Sequence, residues 1–89
     1  MTSLEQKIID WVISWFEENT NIKSEYIRQN LDKMYFEQGW IDSFKFIVFV
    51  NDIEEHFNIT FSNEEFQNRE FSTIFGLSKI IEGKCHAKE

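Results

Sequence analysis

The sequence has no proline, only three glycines and a single cysteine, Cys85. A lone cysteine cannot close a disulfide within the chain or build a metal cluster by itself, and it is compatible with a reducing compartment. We therefore expect a cytoplasmic protein. No apolar run is long enough to span a membrane, and the charged residues near the amino terminus do not fit a signal peptide. The scarcity of proline and glycine suits short helices joined by polar connections.

Positive charge is also scarce, with 9 basic against 16 acidic residues and a net charge of −7. Such a surface repels phosphate backbones and anionic lipids, so we expect neither nucleic acid nor membrane as a partner. A partner with a basic patch fits better. The alternative is that the acidity only keeps a small domain soluble. We expect the protein to be a monomer.

Groups that could carry catalysis are few. The chain has two histidines, and His86 follows Cys85 directly, so the two side chains point apart and cannot form a nucleophile–base pair. No glycine-rich phosphate loop and no calcium or zinc spacing is present. His56 lies one helical turn after Asp52, which predicts a structural Asp–His pair. The sequence therefore predicts that the protein is not an enzyme.

Apolar residues, by contrast, make up 42% of the chain and include ten phenylalanines. This content supports one folded domain, which we assign to residues 1–83, with residues 84–89 as a frayed tail. Apolar residues recur at helical spacing from Leu4 to Phe16, which predicts a first helix ending near Asn19. The irregular stretch 20–42 predicts a long loop with a short helical turn around residues 24–30.

Three further helices complete the predicted fold. The second begins at Asp42-Ser43 and ends near Phe57, a capping box at Ser62 opens a short third helix, and Ser72 caps the last. Gly83 is a plausible end for that helix. The predicted fold class is all-α, a small four-helix bundle of three longer helices and one short helix, with a long loop between helices 1 and 2.

The second helix divides into two faces at 100° per residue. The inner face should be buried with Trp15, Ile59 and Phe61, and it consists of Phe46, Phe49, Val50, Ile53 and Phe57. The outer face is left for a partner, and it consists of Phe44, Ile47, Val48, Asn51, Glu54 and Glu55. An alternative for Ile47 is that it packs against the long loop as part of the core.

The segment Gly39-Trp40-Ile41-Asp42-Ser43-Phe44 places a serine hydroxyl in the first turn of the second helix, after a glycine turn. One interpretation is that Asp42 or Ser43 serves only as the N-cap. The other is that Ser43 carries a phosphate, because a helix N-terminus offers unpaired N–H groups and a favourable dipole. Asp42 could then help to hold a metal ion in the modifying enzyme's site.

Residues 39–81 resemble the acyl carrier protein family. The Asp42-Ser43-Phe44 triplet is similar to the family's Asp-Ser-Leu-like mark at the start of its second helix. The segments 53–59, 62–65 and 71–74 are similar, in order and without a gap, to the end of that helix, the start of the short third helix and the start of the last. The resemblance thus implies an acyl-carrier-like bundle.

The resemblance also implies a function. Ser43 would carry a covalent 4′-phosphopantetheine arm, added from coenzyme A by a phosphopantetheinyl transferase. The arm's thiol would hold acyl or aminoacyl groups as thioesters. The implied partners are that transferase, an acyl- or aminoacyl-loading ligase, and downstream synthase or transferase enzymes that dock chiefly on the second helix. The alternative is a non-carrier helical adaptor with an unmodified serine.

Departures from the family pattern bear on the pathway. Phe44 replaces the usual Leu, Trp40 is bulky before the motif, and Lys45 and Val48 stand where acids are common. These features resemble stand-alone carriers of specialised pathways rather than of primary fatty acid synthesis. Polyketide, nonribosomal-peptide and D-alanyl carriers all remain open. Because large aromatic residues fill the predicted core, we expect a short or polar cargo rather than a long alkyl chain.

Overall fold

The computed structural model describes residues 3–87. Helices account for most of this part of the chain, and they are α1 (Ser3–Asn19), α2 (Ser24–Arg28), α3 (Ser43–Phe57), α4 (Asn63–Phe66), a 3-10 turn (Arg69–Ser72) and α5 (Ile74–Ala87). Residues 3–87 contain no strand, only an isolated bridge between Met34 and Thr73. The predicted all-α bundle with three longer helices is confirmed. The short turn expected in the long loop is α2.

The core lies between α1, α3 and α5. Helix α1 packs along α5, and the buried side chains come from these helices, the loop and the residues that follow α3. The prediction of burial is confirmed for Trp15, Phe49, Val50, Ile53, Ile59 and Phe61. It is wrong for Phe46 and Phe57, which are half-buried and pack against the rim of the core.

Local hydrogen bonds explain where α3 and α4 end and begin. Asn58 adopts the left-handed conformation (φ 54°) and ends α3. The carboxylate of Glu54 then accepts a bond of 2.9 Å from the backbone N–H of Phe61, which fixes the turn after the helix. Ser62 and Glu65 form the predicted capping box at the start of α4. Glu54 therefore has a structural role, whereas the sequence predicted it only as an outer-face residue available to a partner.

The last helix differs from the prediction at both ends. Thr73, not Ser72, precedes it, and the Thr73 hydroxyl accepts a bond of 3.0 Å from the N–H of Gly76. The helix continues past Gly83 to Ala87, so the predicted end at Gly83 is wrong. An ion pair of 2.8 Å between Lys84 and Glu65 holds these last turns to α4. Of the predicted tail, residues 84–87 are helical, and residues 88–89 lie outside the described part.

The long loop is fixed by the segment before α5. The backbone N–H of Tyr35 bonds to the carbonyl of Ser72 at 3.1 Å, and the Tyr35 hydroxyl donates to the carbonyl of Phe71. The N–H of Phe75 bonds to the carbonyl of Leu31 at 3.0 Å. Burial raises the pKa of Tyr35, so the hydroxyl stays protonated and able to donate. These bonds position the chain that leads to Ser43.

The predicted pair between Asp52 and His56 is wrong. The carboxylate of Asp52 accepts a bond of 2.7 Å from the indole N–H of Trp15. The His56 ring instead stacks on Trp11, with ring centroids 4.8 Å apart. Both contacts join α3 to α1. His56 therefore has a structural role, which it performs by stacking its ring and not by pairing with Asp52.

Candidate functional site

The backbone turns sharply just before α3. Gly39 has a φ of +73°, a region that residues with a Cβ rarely adopt. Its N–H bonds to the carbonyl of Phe36 at 3.1 Å, and the N–H of Trp40 bonds to the carbonyl of Tyr35 at 3.0 Å. The side chains of Trp40 and Ile41 are then buried. The turn and these two anchors set the point at which α3 begins.

Asp42 is the N-cap of α3. Its backbone is extended, and its carboxylate accepts a bond of 2.8 Å from the N–H of Lys45. Ser43 is the first helical residue and is exposed. The alternative that Ser43 is the cap is therefore wrong, whereas Asp42 does act as one. The Ser43 hydroxyl is left at the surface with no part in capping the helix.

This arrangement fits a phosphodiester on Ser43. The hydroxyl is accessible, and it lies at the positive end of a helix of 15 residues. The first N–H groups of a helix have no acceptors within the helix and can face an anion. The Asp42 carboxylate adds negative charge next to the site, but its bond to the Lys45 N–H fixes it as the helix cap.

A largely apolar groove starts one turn below Ser43. It lies between α3 and α4, has a volume of about 340 Å³, and is lined by Phe46, Ile47, Val50, Asn51, Glu54 and Phe66. Most of these residues follow Ser43 at intervals of three, four, seven, eight and eleven positions, which places them on the same side of the helix. A group attached to Ser43 can therefore lie along this groove.

The six predicted partner residues differ in exposure. Phe44 and Ile47 are 75% and 61% exposed, so the alternative that Ile47 belongs to the core is wrong. Asn51 and Glu55 are also exposed. Val48 is half-buried against the core, and Glu54 is half-buried while it accepts the bond from Phe61. Only the exposed members are free to form an interface without a change in the fold.

On another side of the site lies a more polar groove of about 560 Å³, formed by residues 18–21, 39–42 and 45. The ammonium of Lys45 reaches across it and donates to the backbone carbonyl of Asn19, the last residue of α1. A cation at a helix C-terminus is favoured by the dipole. The lysine at this unusual place in the motif therefore ties the start of α3 to the end of α1.

Sequence reasoning missed two aromatic residues near the site, Phe36 and Phe66. Both contact Phe46, with ring centroids 5.0 Å and 6.5 Å away. Phe36 lies in the irregular loop, where no periodicity indicates which way a side chain points. The excess of phenylalanine was the one available signal, and it does not distinguish core from surface.

Comparison with known proteins identifies a family for this chain. A family model described as a phosphopantetheine attachment site matches residues 10–81. This region extends from α1 into α5 and includes the whole Gly39–Phe44 segment. Searches of curated proteins and of solved structures gave no match.

Proposed function

The chain belongs to the family of proteins with a phosphopantetheine attachment site, and on that premise we propose that Ser43 is the attachment residue. Members of the family bear 4′-phosphopantetheine covalently on a serine and are carriers, not enzymes. The observation that carries the proposal is the position of Ser43, exposed in the first turn of α3 while Asp42 caps the helix. Ser62, another exposed serine at a helix start, uses its hydroxyl as a cap.

In the attachment reaction the Ser43 oxygen attacks the phosphorus next to the pantetheine of coenzyme A. A P–O bond of the pyrophosphate breaks, adenosine 3′,5′-bisphosphate leaves, and the hydroxyl proton passes to a base of the transferase. Asp42 holds the helix start in place and stands beside the site, where it can help to hold the transferase's metal ion. Once attached, the group supplies a thiol that forms thioesters with acyl or aminoacyl cargo.

The partner surface in this proposal is the exposed part of the outer face of α3. Phe44 and Ile47 form an apolar patch next to Ser43, and exposed apolar side chains that adjoin a functional group favour an interface. Asn51 and Glu55 continue this surface toward the end of the helix. The Glu55 charge suits a basic partner, whether transferase, loading ligase or downstream enzyme.

We further propose a role in a specialised biosynthetic pathway rather than in primary fatty acid synthesis. Two observations support it. The first turn of α3 presents the large apolar side chain of Phe44. The same turn carries Lys45 at a position where acids are common, and the Lys45 ammonium is bonded to the end of α1. Within this proposal, polyketide, nonribosomal-peptide and D-alanyl pathways all stay open.

The test is the intact mass after incubation with coenzyme A and a phosphopantetheinyl transferase of broad specificity. The wild-type protein should gain one phosphopantetheine, and so should Ser62→Ala. Ser43→Ala should gain none while keeping its helical circular dichroism spectrum. A folded Ser43→Ala protein that is still modified contradicts the assignment. A wild-type protein that gains no mass favours the helical adaptor instead.

A further inference from the structure

A second groove adjoins the one between α3 and α4. This aromatic recess has a volume of about 240 Å³ and is lined by Tyr35, Phe36, Phe46, Phe66, Phe71 and Ser72. Phe46 and Phe66 also line the first groove, so the two grooves adjoin at this pair of rings. Phe36 and Phe66 are 45% and 40% exposed and stand at the surface of the recess.

The rings around the recess contact one another and form a continuous aromatic wall against which a further ring can pack. Phe66 and Phe71 have centroids 5.0 Å apart, and Phe46 and Phe71 have centroids 6.0 Å apart. Aromatic rings prefer tilted, offset or edge-to-face partners at about 4.5–7 Å, an interaction that an alkyl chain does not reproduce. The lining therefore favours an aromatic guest over an aliphatic one.

The floor of the recess is closed. Tyr35 is fully buried there, and its hydroxyl and its N–H are bonded to the carbonyls of Phe71 and Ser72. Behind it lie Phe16 and Phe49, both fully buried, with centroids 6.0 Å from the Tyr35 ring. A long alkyl chain could pass below this floor into the core only by breaking these contacts. A single ring needs less depth, since an apolar cavity of about 150 Å³ suffices for benzene.

Phe46 follows Ser43 by one turn of α3, so the recess is within reach of an arm that starts at Ser43 and lies in the first groove. We propose that the aromatic recess holds a short aromatic acyl group carried as a thioester on that arm. The inference rests on the proposed function, because it needs an arm on Ser43. It narrows the cargo to flat rings such as a benzoyl group and excludes long alkyl chains from the recess.

The test compares the protein loaded by the transferase from benzoyl-, hexanoyl- and acetyl-coenzyme A. Intact mass first establishes that each arm is attached, and failure at that step counts against the proposed function alone. Nuclear magnetic resonance of labelled phenylalanine rings then reports docking. The benzoyl arm should shift the signals of Phe36, Phe46 and Phe66, and the acetyl and hexanoyl arms should leave them nearly unchanged.

Variants separate aromatic recognition from simple apolar contact. Phe36→Leu and Phe66→Leu keep an apolar side chain but remove the ring, and each should make the benzoyl thioester roughly 2- to 10-fold more susceptible to hydroxylamine, the loss expected for one aromatic contact. Phe75→Leu is the matched control, because Phe75 is also partly exposed but lies on α5 beneath the Lys79 ammonium. It should have no effect.

Three results would overturn the proposal. The first is equal shifts from the hexanoyl and benzoyl arms, and the second is unchanged protection in both leucine variants. The third is that the benzoyl arm leaves the ring signals unchanged, whereas a partner enzyme added to the unloaded protein shifts them. That last result would identify the recess as a binding site for a side chain of the partner enzyme.

Discussion

The indole N–H of Trp15 donates a bond of 2.7 Å to the carboxylate of Asp52 and so joins α1 to α3. Trp15 is only 5% exposed, and its ring lies 4.6 Å from that of Phe49. The indole N–H of this nearly buried side chain therefore has Asp52 as its acceptor. A charged acceptor strengthens such a bond.

Asp52→Ala should lower the free energy of unfolding by about 1–3 kcal/mol, because it leaves the donor of Trp15 without an acceptor. Asp52→Asn keeps an acceptor oxygen and should cost less. Urea denaturation of both variants, with Glu55→Ala as an exposed control on the same helix, measures this. Equal stability of Asp52→Ala and wild type would mean that water replaces the carboxylate.

Because Asp42 is the N-cap of α3, alanine should lower the stability at Asp42 but not at the adjacent Ser43. Asp42→Ala should destabilise the protein by about 1 kcal/mol, since it removes the acceptor for the Lys45 N–H. Ser43→Ala should be nearly neutral, which makes it a clean test of modification. Thermal unfolding of both variants checks the prediction, and a larger loss in Ser43→Ala would place the cap on the serine.

Two glycines of α5 should respond to alanine with opposite signs. A Cβ on Gly76 would lie 2.3 Å from the carbonyl oxygen of Glu70, so Gly76→Ala must push the 3-10 turn away from α5 and should destabilise. A Cβ on Gly83 would meet nothing within 4 Å. Gly83→Ala should stabilise by up to about 1 kcal/mol, the helix preference of alanine. The denaturation midpoints of both variants test this prediction. Stabilisation by both changes would contradict the close approach of Gly76 to Glu70.

Phe49 is fully buried and contacts rings from α1 and the long loop, so it should be the most sensitive phenylalanine of α3. Phe49→Ala should cost about 3–5 kcal/mol. Phe44→Ala removes the same group from a side chain that is 75% exposed and should cost little. Urea denaturation of the pair tests the helical register, and a larger loss in Phe44→Ala would refute it.

The proposed partner surface on α3 predicts two kinetic effects. Ile47→Ala should slow transfer to or from the cognate enzyme without loss of stability, because the desolvated centre of an interface provides most of its binding energy. Glu55→Lys should lower the association rate most strongly at low salt. Glu55 is a better position for this change than Glu54, because the Glu54 carboxylate accepts the bond from the Phe61 N–H and so has a structural role.

Transfer rates at two salt concentrations, together with thermal unfolding, separate these effects from loss of fold. Asn63→Ala, at an exposed position on α4, is a control outside the proposed surface. Wild-type kinetics in both α3 variants would mean that partners dock elsewhere.

The sequence predicted the helices well because their signals are local. Apolar spacing fixed α1 and α3, and the Ser62 capping box fixed the start of α4. The end of α5 was missed because glycine often ends a helix, whereas here the pair between Lys84 and Glu65 secures the turns around it. That pair joins residues 19 positions apart, a separation that periodicity does not register.

The proposal for Ser43 could be made from the sequence because its signal is also local, an Asp-Ser at a helix start within a longer motif. The aromatic recess could not. It depends on where the loop places Tyr35 and Phe36, which is decided by bonds to residues 71 and 72. For the same reason Phe46 seemed to belong to the core, although its outer side meets rings that themselves face solvent.

The docking of the long loop on residues 71–75 has a consequence for the order of events during synthesis. The loop precedes Ser43, but its bonding partners follow Ser43 by about thirty residues. A ribosome releases the chain from its amino end, so Ser43 emerges before the segment that holds the loop in place. The surroundings of Ser43 therefore assemble only after nearly the whole domain has been made, and a transferase that requires the folded motif acts on the finished domain.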